Sequence, residues 1–426
     1  MFARVLKAIY NLSADVNQKK TLSYIVVRGF SVISNYIFSI LVIQLFSKED
    51  YGTFIYGLSV FMIFSVVFKF GVDVHFVKIF SEYKLKGVPQ WVKILESRLV
   101  WASVITAIVF ATTAHIFNFF GTVTHSITPF ILSAPFFVFA QLNSAKLRAI
   151  SKITQFAFLN IAGRIVLSLF ILSVLYFLFS IRVSSIIYAS HFIAIILVLI
   201  FSLLWTRNEF SCAKSKIAAI PRTFIKYNKA LMLKSYVTVL FLWGDRFFLS
   251  LFSSPSEVAE YDVSLKIAML IMVVIEALKT SYAPVIAQNI SRPKILYRHI
   301  QRSTKVGFVS CCLLFLCLVV FGKVILSFFG AEFIQAYPLV LIIGFGYTVS
   351  SFFGQADSVV EMCGLAKDFI KPYFIIITMS LLIGVFLSLR FGPIGMAIGF
   401  SLSNILFQAY AFKLILKKLK FKTSLF

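Results

Sequence analysis

The sequence predicts an all-α integral membrane protein with twelve transmembrane helices in two six-helix lobes. Three observations support this fold class. Of the 426 residues, 60% are hydrophobic and 13% are charged, whereas about 25% are charged in soluble domains. The apolar residues form runs of twenty or more, the length that crosses a bilayer as a helix. The 41 Lys and Arg residues outnumber the 16 acidic ones and are concentrated in alternate short loops between the runs.

Each predicted span is an apolar run of 21 to 30 residues bounded by charged or turn-forming stretches. Pro135, Pro284 and Gly354 lie inside spans, where neighbouring helices or water can satisfy the freed backbone groups. Numbered in chain order, the twelve predicted spans are 23–46, 54–78, 97–119, 127–148, 154–180, 183–206, 228–252, 261–288, 304–329, 335–364, 371–391 and 393–416.

The density of Lys and Arg alternates from loop to loop. The loops on one side hold 30 of these residues, whereas the opposite loops hold only Lys48, Arg182 and Arg390. Basic loops stay in the cytoplasm, so both termini are predicted to be cytoplasmic and the number of spans even. The basic segments are the N-terminus, 78–98, 146–152, 207–229, 289–305, 365–371 and 413–422.

The longest loop lies at the middle of the chain. We interpret 207–227 as a cytoplasmic linker between an N-terminal lobe, 1–206, and a C-terminal lobe, 228–426. The tripeptide Leu-Phe-Ser ends span 1 at 45–47 and recurs 206 residues later at 251–253, at the end of span 7. A repeat at about half the chain length suggests parallel repeats related by an axis along the membrane normal.

We single out thirteen charged residues inside the predicted spans, where a central Lys, Arg or Asp costs roughly 2.5–3.5 kcal/mol. They must therefore face protein, water or one another. Nine of them lie on the first two spans of each lobe, which indicates one shared central cavity. Its eight cations against five acids favour an anion, and Arg and Lys both suit phosphate oxygens. The residues are Arg28, Lys69, Arg164, Lys234, Arg246, Lys266, Lys279, Lys323, Asp73, Asp245, Glu276, Asp357 and Glu361.

Helical spacing groups some polar residues on common faces, and several of these charges also have purely structural interpretations. Arg28 and Asn35 share a face of span 1. Lys69 and Asp73, or Glu276 and Lys279, could form neutralising pairs within a helix. Lys323 can extend to the membrane interface, and lone histidines such as His115 and His191 are more typical of a core. The five cysteines show neither zinc-site spacing nor a disulfide framework.

Several segments resemble a known family in order and spacing. They are Arg28-Gly29-Phe30, Phe46 to Gly52, Phe70-Gly71-Val72-Asp73, Trp243 to Phe248, Glu260 to Lys266, Ala283-Pro284, Leu326 to Phe333 and Phe391 to Ile398. Together they resemble the Wzx-type polysaccharide (O-antigen) flippases of the multidrug/oligosaccharidyl-lipid/polysaccharide (MOP) exporter superfamily. The resemblance covers nearly the whole chain.

The resemblance implies a MATE-like fold whose two lobes surround a central cationic cavity. It implies that the chain moves undecaprenyl-diphosphate-linked oligosaccharide from the cytoplasmic to the periplasmic leaflet of a bacterial inner membrane by alternating access. Coupling to protons or monovalent cations is expected, with no cofactor, metal or nucleic acid. A polysaccharide polymerase and a chain-length regulator are expected partners. Arg28, Lys234 and Asp245 match charged positions common in the family.

The two kinds of charge suggest two roles in such a flippase. Cations and one amide are assigned to the diphosphate and sugar, and acids to coupling or gating. The substrate-binding candidates are Arg28, Asn35, Arg164, Lys234, Lys266 and Lys279. The coupling or gating candidates are Asp73, Asp245, Glu276, Asp357 and Glu361.

Three alternatives remain open at the level of sequence. A drug or cation exporter of the same fold would share the helix pattern but not the phosphate chemistry. A membrane-embedded polysaccharide polymerase or ligase would need a large outer loop for its catalytic residues, and the longest predicted outer connection has about ten residues. No nucleophile–base pair or phosphate-binding Gly loop is evident, so an enzyme is not expected. A channel is the third alternative, and voltage-clamped currents would reveal it.

Overall fold

The computed structural model describes residues 16–83, 88–116, 124–207, 209–210, 222–288, 293–419 and 423. These residues are predominantly helical, and the described ranges contain no β-strand. The all-α class predicted from the sequence is therefore confirmed. The basic N-terminal residues Arg4 and Lys7 and most of the predicted linker, 211–221, lie outside the described residues.

The first part of the described chain contains eight α-helices. Two π-helical segments, Phe158–Ala162 and Val174–Leu178, continue α6 and α7 respectively. The α-helices are α1 (Val16–Leu45), α2 (Lys48–Lys69), α3 (Val72–Glu82), α4 (Gln90–Ile116), α5 (Thr124–Ala149), α6 (Ile153–Ala157), α7 (Gly163–Ser173) and α8 (Ser185–Thr206).

Seven further α-helices complete the described chain, together with a 3₁₀ turn at Ala331–Ala336. They are α9 (Arg222–Phe252), α10 (Pro255–Gln288), α11 (Pro293–Ser327), α12 (Tyr337–Ser351), α13 (Ala356–Met362), α14 (Ala366–Phe391) and α15 (Pro393–Leu419).

Within the described residues, eleven helical segments are long and apolar enough to cross a membrane. They correspond to every predicted span except span 8, which lies within α10. That helix has 34 residues, or about 51 Å of length, but it carries six charged side chains. A multi-pass membrane protein is thus confirmed, and the count of twelve spans and the cytoplasmic termini stay predictions.

Two predicted spans are not continuous helices, and the structure corrects them. Span 2, predicted at 54–78, is interrupted where Phe70 and Gly71 adopt left-handed backbone angles (φ 49° and 69°). Its first helix, α2, also begins earlier, because the Ser47 hydroxyl accepts the Asp50 N–H at 3.0 Å as an N-cap. Span 10, predicted at 335–364, is interrupted before α13, with Gly354 at φ 72°.

The chain divides into two compact units, Met1–Val239 and Leu240–Phe426. The boundary falls inside α9. The lobes predicted at 1–206 and 228–426, with the linker between them, stay a prediction. We describe each unit by itself.

In the first unit, α5 is the central helix and packs against α2, α3, α4 and α8. Its buried side chains include Phe130, Ala134 and Val138, spaced four residues apart on one face. Gly57 of α2 makes room for the Phe130 ring, which would overlap any Cβ built there. α1 packs instead against α6 and α7, which determines where its polar face points.

In the second unit, α15 packs closely against α14 and also against α12 and α13. Gly395 and Gly399 form a G-x-x-x-G spacing that allows the two backbones to approach. A Cβ on Gly399 would lie 2.5 Å from the Cα of Gly384. The small residues therefore hold α14 and α15 in contact, backbone against backbone.

Candidate functional site

A buried charge network joins α9 to α10 in the second unit. The Arg246 Nε donates to Asp262 Oδ1 at 2.6 Å, and its Nη1 lies 3.5 Å from Asp245 Oδ1. The Tyr261 hydroxyl donates to Asp245 Oδ2 at 2.8 Å. Lys266 Nζ lies 3.0 Å from Asp262 Oδ2. We call these five residues the α9–α10 charge network.

The network balances its own charges. Two cations face two carboxylates, and Asp262 is only 1% exposed while Lys266 is 9% exposed. Lys266, a predicted phosphate ligand, is thus engaged by a carboxylate one turn away, and the predicted coupling residue Asp245 is held by a phenol and a guanidinium. Phosphate binding by Lys266 and coupling by Asp245 would both require this network to rearrange. Both roles therefore stay proposals.

Asp262 is the functional candidate that the sequence interpretation missed. It lies one residue inside the predicted start of span 8 and was not counted among the buried acids. Its position four residues before Lys266 was the available signal, because residues at i and i+4 are neighbours on a helix. The structure places it between both cations of the network.

A second polar cluster joins α10, α13 and α15. Lys279 Nζ lies 2.7 Å from Asp357 Oδ2 and 3.5 Å from Glu276 Oε1. The Asp357 backbone N–H donates to Gln408 Oε1 at 3.4 Å. Lys279 is thus neutralised by two carboxylates. The sequence predicted its pairing with Glu276 but not with Asp357. Glu361, the other predicted coupling acid, is exposed one turn along α13.

One oxygen of this cluster has no protein partner. Asp357 Oδ1 is buried without a hydrogen bond to any described residue. With two carboxylates around one ammonium, the cluster carries a formal charge of −1. Such a surplus of negative charge suits a proton or a small cation, and the phosphate-binding role predicted for Lys279 stays a prediction.

Arg164 is the second residue of α7, which directly follows the first π-helical segment. Its Nη1 is buried and has no hydrogen-bond partner among the described residues. Segments with π geometry inside α-helices occur frequently at functional sites. Gly163 fits this turn because a Cβ there would lie 3.0 Å from the Phe158 carbonyl oxygen. An unsatisfied buried guanidinium N–H is costly, so Arg164 is a candidate donor, and its predicted substrate-binding role stays a prediction.

His191 is also buried within the first unit. The imidazole packs among Phe54, Phe61 and Phe130, with ring centroids 4.8 to 6.1 Å apart. Neither ring nitrogen has a hydrogen-bond partner among the described residues. The expected core histidine is therefore found in an aromatic core, but its polar atoms are not satisfied there.

The polar face of α1 points partly toward this region. The Ser31 hydroxyl donates to the Ile161 carbonyl at 3.2 Å, inside the π-helical segment. Ser39 is buried and donates to the Asn35 carbonyl at 2.8 Å. Asn35 is half-buried, whereas Arg28 is exposed. The structure therefore brings Ser31, between Arg28 and Asn35 on α1, to the π-helical segment and leaves Arg28 exposed.

Three further predicted cations are among the described residues: Lys69, Lys234 and Lys323. Lys69 Nζ is 3.2 Å from Asp73 Oδ2, so the neutralising pair within the span 2 region is present. Lys234 is exposed on α9 in the first unit. Lys323 lies 5.4 Å from the Tyr337 ring. Among the described residues, no three His, Cys, Asp or Glu side chains are placed to hold a metal ion.

Residues 18–290 match the family model described as polysaccharide biosynthesis protein, which is well over half of the chain. The chain belongs to this family. Residues 230–389 also match the MatE family model. No curated protein sequence gives a match.

Solved structures of MOP-superfamily transporters share the fold. An inward-facing multidrug resistance MATE family transporter matches with a TM-score of 0.70 and 13% identity, covering 92% of this chain and 95% of that one. The lipid II flippase MurJ in an inward closed conformation gives 0.67 and 15%, covering 94% and 87%. A MOP-superfamily transporter from Pyrococcus furiosus gives 0.62 and 13%, covering 97% and 98%. The MATE-like fold implied by the resemblance is confirmed, and the proteins that share it here are transporters and a flippase.

Proposed function

We propose that this protein is a flippase for undecaprenyl-diphosphate-linked oligosaccharide, the repeat unit of O-antigen or a related surface polysaccharide. It moves the head group from the cytoplasmic to the periplasmic leaflet of a bacterial inner membrane. The family match supports a role in polysaccharide biosynthesis, and MurJ, a flippase of lipid II, supports the transport of a lipid-linked substrate on this fold. No bond is made or broken during transport.

The observation that carries the proposal is the unpartnered Nη1 of Arg164. A planar guanidinium offers two parallel N–H donors to phosphate oxygens, and such charge-assisted bonds are about twice as strong as neutral ones. Arg164 Nη1 is buried without a partner among the described residues. Binding a diphosphate would satisfy it. Arg28, Asn35 and Lys234 are proposed to contact the same substrate from the first unit.

The paired charges of the second unit are proposed to act in gating and coupling. Lys266 and Lys279 become available to a phosphate only when Asp262 or Asp357 releases them. Protonation or cation binding at Asp357, Glu276 and Glu361 would loosen the second cluster. A ligand shifts a conformational equilibrium only through different contacts in its two states, and these exchangeable ion pairs supply such a difference. A polymerase and a chain-length regulator are the proposed partners.

The test is loss of the protein in its host, followed by complementation. We expect lipid-linked repeat units to accumulate on the inner leaflet and surface polysaccharide to disappear. Wild-type protein and Arg182→Gln should restore the polymer. Arg182 is exposed, lies 5.9 Å from the Tyr176 ring and makes no ion pair with a described residue, so it serves as a matched control. Arg164→Gln should fail at equal expression. Intact surface polysaccharide in the deletion strain would overturn the proposal.

A drug or cation exporter is the second candidate. The match of residues 230–389 to the MatE family model and the acid-rich cluster around Asp357 favour it. Such a protein would confer resistance to cationic drugs that is lost in Asp357→Asn, while Arg164→Gln would retain it. The flippase proposal expects no change in drug resistance from either variant.

A further inference from the structure

A cavity of about 790 Å³ lies within the first unit, away from the predicted substrate residues. α3, α4, α5 and α8 bound it. Its polar side chains come from the ends of these helices: Lys93 and Glu96 from the first turns of α4, Lys146 from the last turn of α5, and Arg207 from the end of α8. All four residues lie in or beside loops predicted to be cytoplasmic.

The rim of the cavity carries excess positive charge. Lys146 Nζ is paired with Glu96 Oε1 at 2.7 Å and also donates to Asn143 Oδ1 at 2.8 Å. Lys93 and Arg207 are exposed and make no ion pair with a described residue. Three cations against one carboxylate leave a formal charge of +2. The rim therefore attracts an anion, and its two unpaired cations are available to bind one.

Most of the remaining lining of the cavity is apolar. Along α4, Val100 lies seven residues beyond Lys93, about 10 Å deeper at 1.5 Å per residue. Trp101 is 65% exposed and Leu204 is 61% exposed, and both line the cavity. Such exposure of large apolar side chains fits contact with lipid in a membrane-spanning protein. The lining thus changes from cationic at the helix ends to apolar farther into the membrane.

We propose that this cavity binds an anionic phospholipid of the cytoplasmic leaflet. Its phosphate lies against Lys93 and Arg207, and its acyl chains pass Trp101, Leu203 and Leu204. Basic pockets between transmembrane helices on the cytoplasmic side bind anionic head groups, and the apolar wall matches the depth of the chains. The occupant is a resident bilayer lipid, not the transported carrier, because the cavity opens to the bilayer and contains none of the predicted substrate residues.

Native mass spectrometry of the full-length protein in detergent tests the proposal with defined lipids. We expect phosphatidylglycerol to be retained in preference to phosphatidylcholine. Lys93→Gln combined with Arg207→Gln should weaken phosphatidylglycerol binding by about 25-fold, because each cation near a membrane surface contributes a factor of about five. Val100→Trp, which fills the apolar part, should weaken both lipids. The matched control is Arg98→Gln with Arg148→Gln, an equal charge change on α4 and α5 outside the lining.

Several outcomes would overturn the proposal. Equal retention of phosphatidylcholine and phosphatidylglycerol by the wild type would show that the rim does not select an anion. An equal loss in the Arg98 and Arg148 control would show a general charge effect. Unchanged phosphatidylglycerol binding in Val100→Trp would place the lipid elsewhere. Competition by undecaprenyl diphosphate at the same concentration as phosphatidylglycerol would assign the cavity to the carrier instead.

Discussion

Arg246 and Lys266 share Asp262 at the centre of the α9–α10 charge network. Removing a charge from water is expensive, and a buried pair is favourable only with good geometry and further hydrogen bonds. Both requirements are met here, since the bonds are 2.6 to 3.0 Å long and Arg246 Nη1 also donates to the Leu242 carbonyl at 2.7 Å. The network therefore stabilises the contact between α9 and α10, and breaking its ion pairs costs free energy.

Asp262→Asn should destabilise the protein. The substitution leaves two buried cations beside one carboxylate, and breaking a buried pair costs about 3–5 kcal/mol. We expect a clear fall in the thermal unfolding midpoint of the detergent-purified protein. The double variant Asp262→Asn with Lys266→Met should recover part of the loss, because Arg246 and Asp245 then balance again. An unchanged midpoint in Asp262→Asn would contradict the network.

At the scale of elements, the break between α2 and α3 is held by side chains of α9 within the first unit. A helix end leaves carbonyls without partners. Here the Asn228 side-chain amide donates to the Phe70 carbonyl at 2.8 Å, and the Tyr236 hydroxyl donates to the Val67 carbonyl at 3.1 Å. Gly71 allows the close approach, since a Cβ there would lie 2.6 Å from the Met232 nitrogen.

Gly71→Ala should therefore be poorly tolerated. The residue has φ 69°, which alanine adopts only with strain of order 1–3 kcal/mol, and the new methyl meets the α9 backbone. We expect a lower unfolding midpoint and less folded protein after purification. Gly29→Ala is the control, because it lies in α1 with no atom within 4 Å of the added Cβ. Equal unfolding midpoints for the two variants would mean that the backbone between α2 and α3 does not require glycine at position 71.

The sequence predicted the position of most helices but not their interruptions. Apolar runs define spans well, because lipid requires them. Phe70 is apolar and carries no sign of a left-handed backbone, so the run through span 2 looked continuous. Gly354 was noticed, but a glycine alone does not distinguish a tolerated residue from a break. Asp262 was missed because it lies where a predicted span begins, and the partner of a buried charge depends on helix rotation.

At the scale of the whole molecule, eleven of the twelve predicted spans correspond to helical segments that are long and apolar enough to cross a membrane. The exception is span 8, which lies within α10. This helix contributes residues to both charge clusters of the second unit. Its charges lower its hydropathy and also make it a candidate for function. The partition of basic residues between loops then fixes the expected orientation of every helix.

Cysteine labelling tests that orientation. In a background without the five native cysteines, Val183→Cys should react with a membrane-impermeant maleimide added from the periplasm, because Val183 is 58% exposed at the predicted outer end of span 6. Lys294→Cys, exposed near the start of α11, should react only after the membrane is permeabilised. The reverse pattern would invert the topology and the predicted direction of transport.

The most direct measurement is the affinity of the purified protein, in lipid nanodiscs, for undecaprenyl diphosphate. We predict that Arg164→Gln weakens binding by about tenfold or more, since a hydrogen bond to a charged group contributes about 1.5–3 kcal/mol. Arg164→Lys should fall between wild type and Arg164→Gln, because it keeps the charge but loses the planar fork, and Arg182→Gln should bind normally. Wild-type affinity in Arg164→Gln would contradict the claim that this buried guanidinium receives the diphosphate.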